Sequence, residues 1–162
     1  MPVLPIKMVG EAVLRRKATK IERVDAPLAR LLEDMVETMY AANGIGLAGP
    51  QVGVAQRLLV IDIGDGPLKI INPRIVEHHG RASGPEGCLS IPGLVGEVER
   101  HEKIVVKAID ESGQNVVHEA DGLLAVVFQH EIDHLDGKLF IDTAINIYDA
   151  TQVPDEEEEL EE

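Results

Sequence analysis

Leu123-Leu124-Ala125-Val126-Val127-Phe128-Gln129-His130-Glu131-Ile132-Asp133-His134 is the stretch from which the rest of the chain is best read. Asp121 stands where an N-cap belongs and Gly137 where a left-handed terminator does, so the spacing predicts a helix between them. The apolar run at its start has no polar face, which predicts a helix buried on nearly all sides. Residues four apart on a helix share a face, about 6 Å of rise apart. His130 and His134 therefore present two imidazoles to one divalent metal. Glu131, one step round, reaches a water at that metal without being a ligand. Buried imidazoles and a buried carboxylate need partners, because an unpaired buried polar group costs several kcal/mol. Taken alone, the pattern also fits a helix end with solvated polar residues, and the other segments decide between the two.

At 162 residues, 44% hydrophobic and 27% charged, the composition is that of one soluble globular domain. Two Phe, two Tyr and no Trp make the core aliphatic and leave few platforms for stacking single-stranded nucleic acid. A net charge of −14 argues against direct nucleic-acid binding, which needs a basic footprint. That charge is uneven: Asp155 to Glu162 hold seven of the 29 acids, leaving 22 acids against 15 bases. The chain divides into a single domain over 1–153 and an acidic tail over 154–162 that is expected to be disordered. The lone Cys88 excludes an internal disulfide and fits a reducing cytosol. The N-terminus lacks a signal-peptide pattern, and no apolar run approaches the roughly 20 residues of a membrane span. A soluble cytoplasmic protein, away from the membrane, is expected.

Along the chain, residues 1–24 read as extended or irregular. Asp25 caps a helix with Pro27 in its first turn, and Leu28, Leu31, Leu32, Met35, Val36 and Met39 recur at three and four until Asn43-Gly44 ends it. Gly44 to Gly53 is a glycine-rich segment without the Lys-Ser/Thr ending of a phosphate loop. Leu58 to Ile63 reads as a strand, and Leu68 to Ile71 and Arg74 to Glu77 as two short strands broken at Asn72-Pro73. Gly84 to Gly93 reads as a second loop rich in Gly and Pro. Glu97 to Asp110 reads as one long strand, paired through Glu111-Ser112-Gly113-Gln114 with Asn115 to Glu119. After Asp142 the signal is weak. Strands that do not alternate with helices predict an α+β fold, with short antiparallel strands packed around a buried central helix that carries the metal motif.

A catalytic metal site of this kind keeps three protein ligands and one open position. Beyond His130 and His134 the third is open among Cys88, the histidines 78, 79, 101 and 118, and the carboxylates. The four histidines sit in polar stretches and read as surface, while a thiolate suits a borderline-soft divalent ion. Spacing alone does not choose.

Glu86-Gly87-Cys88-Leu89-Ser90, His130-Glu131-Ile132-Asp133-His134 and Gly44-Ile45-Gly46-Leu47-Ala48-Gly49-Pro50-Gln51, in that family's order, resemble the three signature motifs of the peptide deformylases. The resemblance extends through Leu4-Pro5-Ile6, Asp34-Met35, Thr38-Met39-Tyr40 and Gly137 to Asp142. It implies hydrolysis of the N-formyl group from the formylmethionine of nascent peptides, with release of formate, by a catalytic domain working near the ribosome. It assigns Cys88, His130 and His134 as ligands of one divalent metal, Fe²⁺ natively, with Zn²⁺, Ni²⁺ or Co²⁺ as substitutes. Glu131 is then the general base and acid, with Gln51 and the backbone N–H of Leu89 as oxyanion donors. Ile45, Gly46 and Gly87 would line the peptide cleft, and Val126 with Leu123 the pocket for the methionine side chain. The family usually has Ala where this chain has Gly49, and the missing methyl is expected to loosen that loop by roughly 0.5–1 kcal/mol. Two other readings compete. A zinc endopeptidase would take its third ligand from downstream of the helix, and a structural metal module would close all four positions with protein side chains.

Overall fold

The computed structural model describes residues 3–152, so the expected tail over 154–162 lies outside the described residues. Helix α1, Ala26–Ala41, starts where Asp25 Oδ1 accepts the Leu28 N–H at 3.0 Å. It buries Leu28, Leu32, Met35, Val36 and Met39 on one stripe, each such side chain worth roughly 1.5–3 kcal/mol when fully removed from water. It ends at Asn43 (φ 57°), with the Gly44 N–H donating to Met39 O.

Five strands form one sheet in the order β1 (Gly46–Ala48), β2 (Leu58–Ile61), β3 (Leu68–His79), β6 (Lys103–Ile109) and β7 (Asn115–Asp121). Three form a second, smaller sheet in the order β4 (Ala82–Cys88), β5 (Ile91–Arg100) and β8 (Asn146–Asp149). Every pairing within the two sheets is antiparallel, and the fold is α+β as expected. Helix α2, Gly122–Leu135, lies across the larger sheet on the face opposite α1. The alternation in β2 records this: Leu59 and Ile61 pack with Phe128 and Ile132 of α2, while Leu58 and Val60 pack with Leu32 and Met35 of α1. Nine of the 14 residues of α2 are buried, but its first turn is open, and Leu123 is 54% exposed there.

Three strand assignments change. Asn72-Pro73 does not break β3. Asn72, at φ 51°, makes a bulge, and its side-chain amide pairs with both the N–H and the carbonyl of Ile21. The Gly/Pro segment Gly84 to Gly93 is most of a β4–β5 hairpin rather than a loop. Pro85 is tolerated because β4 is an edge strand with one side unpaired. Glu97 to Asp110 is two strands, because the chain leaves one sheet at Arg100 and enters the other at Lys103. β8, where the sequence carries little signal, is fixed by pairing with β5. Gly49 also differs from expectation. A methyl there would stand 2.8 Å from the carbonyl oxygens of both Val54 and Gln56, so the glycine closes this loop tightly rather than loosening it.

Candidate metal centre and active-site cleft

Helix α2 delivers His130 and His134 from consecutive turns, and the end of β4 delivers Cys88. One donor atom from each lies within 4.8 Å of the other two, and Cys88 Sγ is 3.3 Å from His134 Nε2. The imidazoles stand 5.1 Å apart at 67°, so their nitrogens converge instead of stacking. Bonds of about 2.0–2.3 Å to a shared tetrahedral cation would bring such donors about 3.3–3.8 Å apart, and the three are already close to that spacing. The other four histidines do not join them: His78 and His79 are exposed, and His101 and His118 are half-buried.

The protonation pattern suits a cation. His130 Nδ1 donates to Glu86 Oε1 at 2.9 Å, which leaves Nε2 free to bind a metal. Burial alone would lower the pKa of His130, but its bonds to Cys88 and Glu86 and the charge of Glu131 outweigh that and raise it to about 10. Without a metal the ring thus holds a proton that a cation at Nε2 would replace. His134 is pushed down to about 3 by burial and by the charges of His130 and Arg100, so its lone pair stays available. Two buried polar atoms lack any hydrogen-bond partner among the described residues, His134 Nδ1 and Glu131 Oε1. A thiol, two imidazoles and an orphaned carboxylate oxygen at one point fit a divalent ion with a water beside it.

Glu86 is held by Arg100, whose Nε and Nη2 donate to its two oxygens at 2.9 and 2.8 Å, while Nη1 donates to Asp133 Oδ2 at 2.6 Å. Burial would raise the pKa of Glu86, but the bonds and charges of Arg100 and His130 outweigh it and hold the carboxyl down at about 2. The fork explains why a buried arginine sits here: it satisfies two carboxylates, and one of them orients the His130 ring. Sequence reasoning passed over this network. Glu86 was visible beside Cys88, whereas Arg100 carries no local signal and is recognised only by what it touches.

Above the three donors opens a cleft of about 520 Å³. Of the residues singled out from sequence, Ile45, Gly46, Gln51, Gly87, Leu89, Leu123, Val126 and Glu131 line it, together with Cys88 and His130. His134 sits behind them, 1% exposed. Burial pushes the Glu131 carboxyl up to about 7 against the pull of His130, near the pH at which a general base works best. Its Oε2 lies against bare backbone at Gly46, where an added Cβ would stand 2.6 Å away.

Residues 3–149 match the family model for polypeptide deformylase. A peptide deformylase of Symbiobacterium thermophilum is 50% identical over 99% of this chain and 76% of its own length. One from Acetivibrio thermocellus is 50% identical over 94% and 90%. The chain belongs to the peptide deformylase family.

Solved deformylases agree in fold. The crystal structure from Thermotoga maritima superposes with a TM-score of 0.88 at 43% identity, covering 90% of this chain and all (100%) of that one. The peptide deformylase of Synechococcus elongatus in complex with actinonin gives 0.87 at 46% identity, covering 90% and 81%. Like its family, this chain is a hydrolase that deformylates nascent polypeptides and works with a divalent metal. No helix among the described residues is long and apolar enough to cross a membrane.

Proposed function

We propose that Cys88, His130 and His134 hold one divalent ion, Fe²⁺ natively, with Zn²⁺, Ni²⁺ or Co²⁺ as substitutes, and that Glu131 carries the proton chemistry of deformylation. The observation that carries this reading is the Glu131 carboxylate: 4% exposed, one oxygen unpartnered, next in sequence to His130 and facing the cleft. A divalent ion there supplies Lewis acidity, polarising a carbonyl oxygen and lowering a water's pKa to about 7.

The chain's own groups do the rest. Glu131 accepts a proton as water oxygen bonds to the formyl carbon. It returns that proton to the amine nitrogen as the C–N bond breaks, leaving formate and a free N-terminus. The oxyanion formed between these steps is met by Gln51 Nε2 and the backbone N–H of Leu89. Gly46 in β1 and Gly87 in β4 lie on edge strands that flank the cleft, so an extended peptide can pair with backbone there, beside Ile45, whatever its sequence. Val126 and Leu123 receive the methionine side chain. The substrate being a nascent chain, we place the enzyme in the cytoplasm, in passing contact with the ribosome.

Metal-loaded enzyme is expected to release formate from formyl-Met-peptides. Glu131→Ala should keep its metal while turnover falls by at least 10²-fold. Unaltered turnover in that variant would remove Glu131 from the mechanism. The Fe²⁺ form should also lose activity faster than the Ni²⁺ form in aerated buffer, as metal and Cys88 oxidise, and equal half-lives would count against an iron–thiolate pair.

A further inference from the structure

Gln51 is 1% exposed, and its side chain is held at both ends of the amide. Oε1 accepts the Ala48 N–H at 2.9 Å, which settles which end is oxygen, because a backbone N–H can only donate. Nε2 then faces Ser90 Oγ at 3.1 Å and Cys88 Sγ at 3.6 Å. Ser90 is 0% exposed. With one amide proton on Ser90 Oγ, the other points to Cys88 Sγ at the floor of the cleft, where an oxyanion on a bound formyl group would meet it. Without that hydroxyl the amide can twist, and both protons lose their direction.

The backbones behind these two side chains are joined as well. The N-terminal segment runs past them so that the Lys7 N–H donates to Gln51 O at 2.7 Å and the Val9 N–H donates to Ser90 O at 2.8 Å. Two N–H groups only two residues apart thus reach both turns, and this arm bridges them like a strap. The hydrogen bonds close a ring: arm to Gln51, Gln51 side chain to Ser90, Ser90 back to arm. Leu89 precedes Ser90 directly, so the same ring fixes its N–H.

We propose that Ser90, braced by Lys7–Val9 of the N-terminal arm, is a positioning residue that sets the oxyanion donors Gln51 and Leu89 relative to one another. This rests on the reading of Gln51 as a donor, and the test separates the two claims. In metal-loaded enzyme, Gln51→Ala should lower kcat by about 10²–10³-fold, and Ser90→Ala by about 10-fold with KM within about twofold. In the Gln51→Ala background, Ser90→Ala should have no further effect on kcat, because the group it positions is gone. Val9→Pro, which removes the N–H that Ser90 O accepts, should follow the same pattern, slowing wild type but not Gln51→Ala. If Gln51→Ala has wild-type kcat, the donor reading fails. If Gln51→Ala is slow but Ser90→Ala is not, or if Ser90→Ala slows both backgrounds equally, the positioning claim fails. Ser90→Thr and Ser90→Val, alike in bulk, isolate the hydroxyl should Ser90→Ala fold poorly: threonine faster by about 10-fold supports the proposal, and equal rates overturn it. A readout apart from turnover is the side-chain NH₂ pair of Gln51 in ¹⁵N–¹H spectra of the zinc-loaded protein. It should be shifted and slow to exchange in wild type, and should move to free-amide positions in Ser90→Ala. An unmoved pair would refute the bond's role.

Discussion

At Gly46 the backbone comes so near Glu131 and Val127 that an added methyl would stand 2.6 Å from Glu131 Oε2 and 2.9 Å from a Val127 methyl. Gly46→Ala should therefore turn the carboxylate out of place. We expect kcat to fall by about 10–10²-fold with metal content unchanged, measured by formate release and metal analysis. A wild-type kcat would mean that the position of Glu131 is not critical. Glu86 supplies a pH test on the metal-free protein. Its carboxyl, ordinarily near 4.5, is held down at about 2 in the folded chain. A depressed carboxyl contributes stability above its unfolded pKa, and that contribution is lost as pH falls from about 4.5 toward 2, a difference of roughly 3 kcal/mol. In Glu86→Gln this acid slope should be missing, and urea unfolding at pH 5 and pH 3 should differ less than in wild type. An identical slope in both proteins would show that other groups govern the acid limb.

At the scale of elements, the loop between β1 and β2 is closed on Gly49. The two atoms nearest a Cβ there are backbone carbonyl oxygens, which cannot swing aside as the third neighbour, a Leu58 methyl at 3.3 Å, can. Gly49→Ala should therefore lower stability by about 1–3 kcal/mol, read as a lower urea midpoint at unchanged slope. An unchanged midpoint would mean that the loop yields. Helix α1 was legible from its cap, its period of 3.6 and its terminator, and α2 from its apolar run and Gly137 (φ 74°), although the Asp121 side chain makes no capping hydrogen bond. The β4–β5 hairpin was not legible. Its Gly and Pro residues resemble a loop locally, and only its place at a sheet edge makes them acceptable. The division between β5 and β6 at His101-Glu102 was hidden for the opposite reason, since no Gly or Pro marks it. There Gln129 of α2 receives the His101 N–H and donates to the His101 carbonyl, both at 2.9 Å, and so takes the place of a neighbouring strand.

For the whole molecule, the three proposed ligands tie α2 to the small β4–β5–β8 sheet. A bound ion would then add a cross-link between parts already joined by the His130–Glu86 and Asp133–Arg100 bonds and by packing of Leu139 and Phe140, just past α2, against Ile91 and Val98. Chelation should lower the thermal midpoint by about 5–10 °C, reversibly on adding Ni²⁺ or Zn²⁺, as expected for loss of a few kcal/mol of binding energy. An identical midpoint with and without metal would contradict a site built from these two elements.

The sequence alone determined the two helices, the α+β class and the His130-Glu131-Ile132-Asp133-His134 pattern, which depend on residue type and spacing along the chain. Cys88 joined that pattern only through the resemblance of its motif to the deformylases, since spacing did not choose among the candidates for a third ligand. Only the tertiary structure decided that Arg100 orients Glu86 beneath a proposed ligand, that Gly46 makes room for the Glu131 carboxylate, and that the N-terminal arm straps Gln51 to Ser90. Those relations join segments between 14 and 85 positions apart in the chain. They rest on hydrogen bonds and close contacts that exist only once both sheets have closed around α2, and no local pattern of residues encodes them.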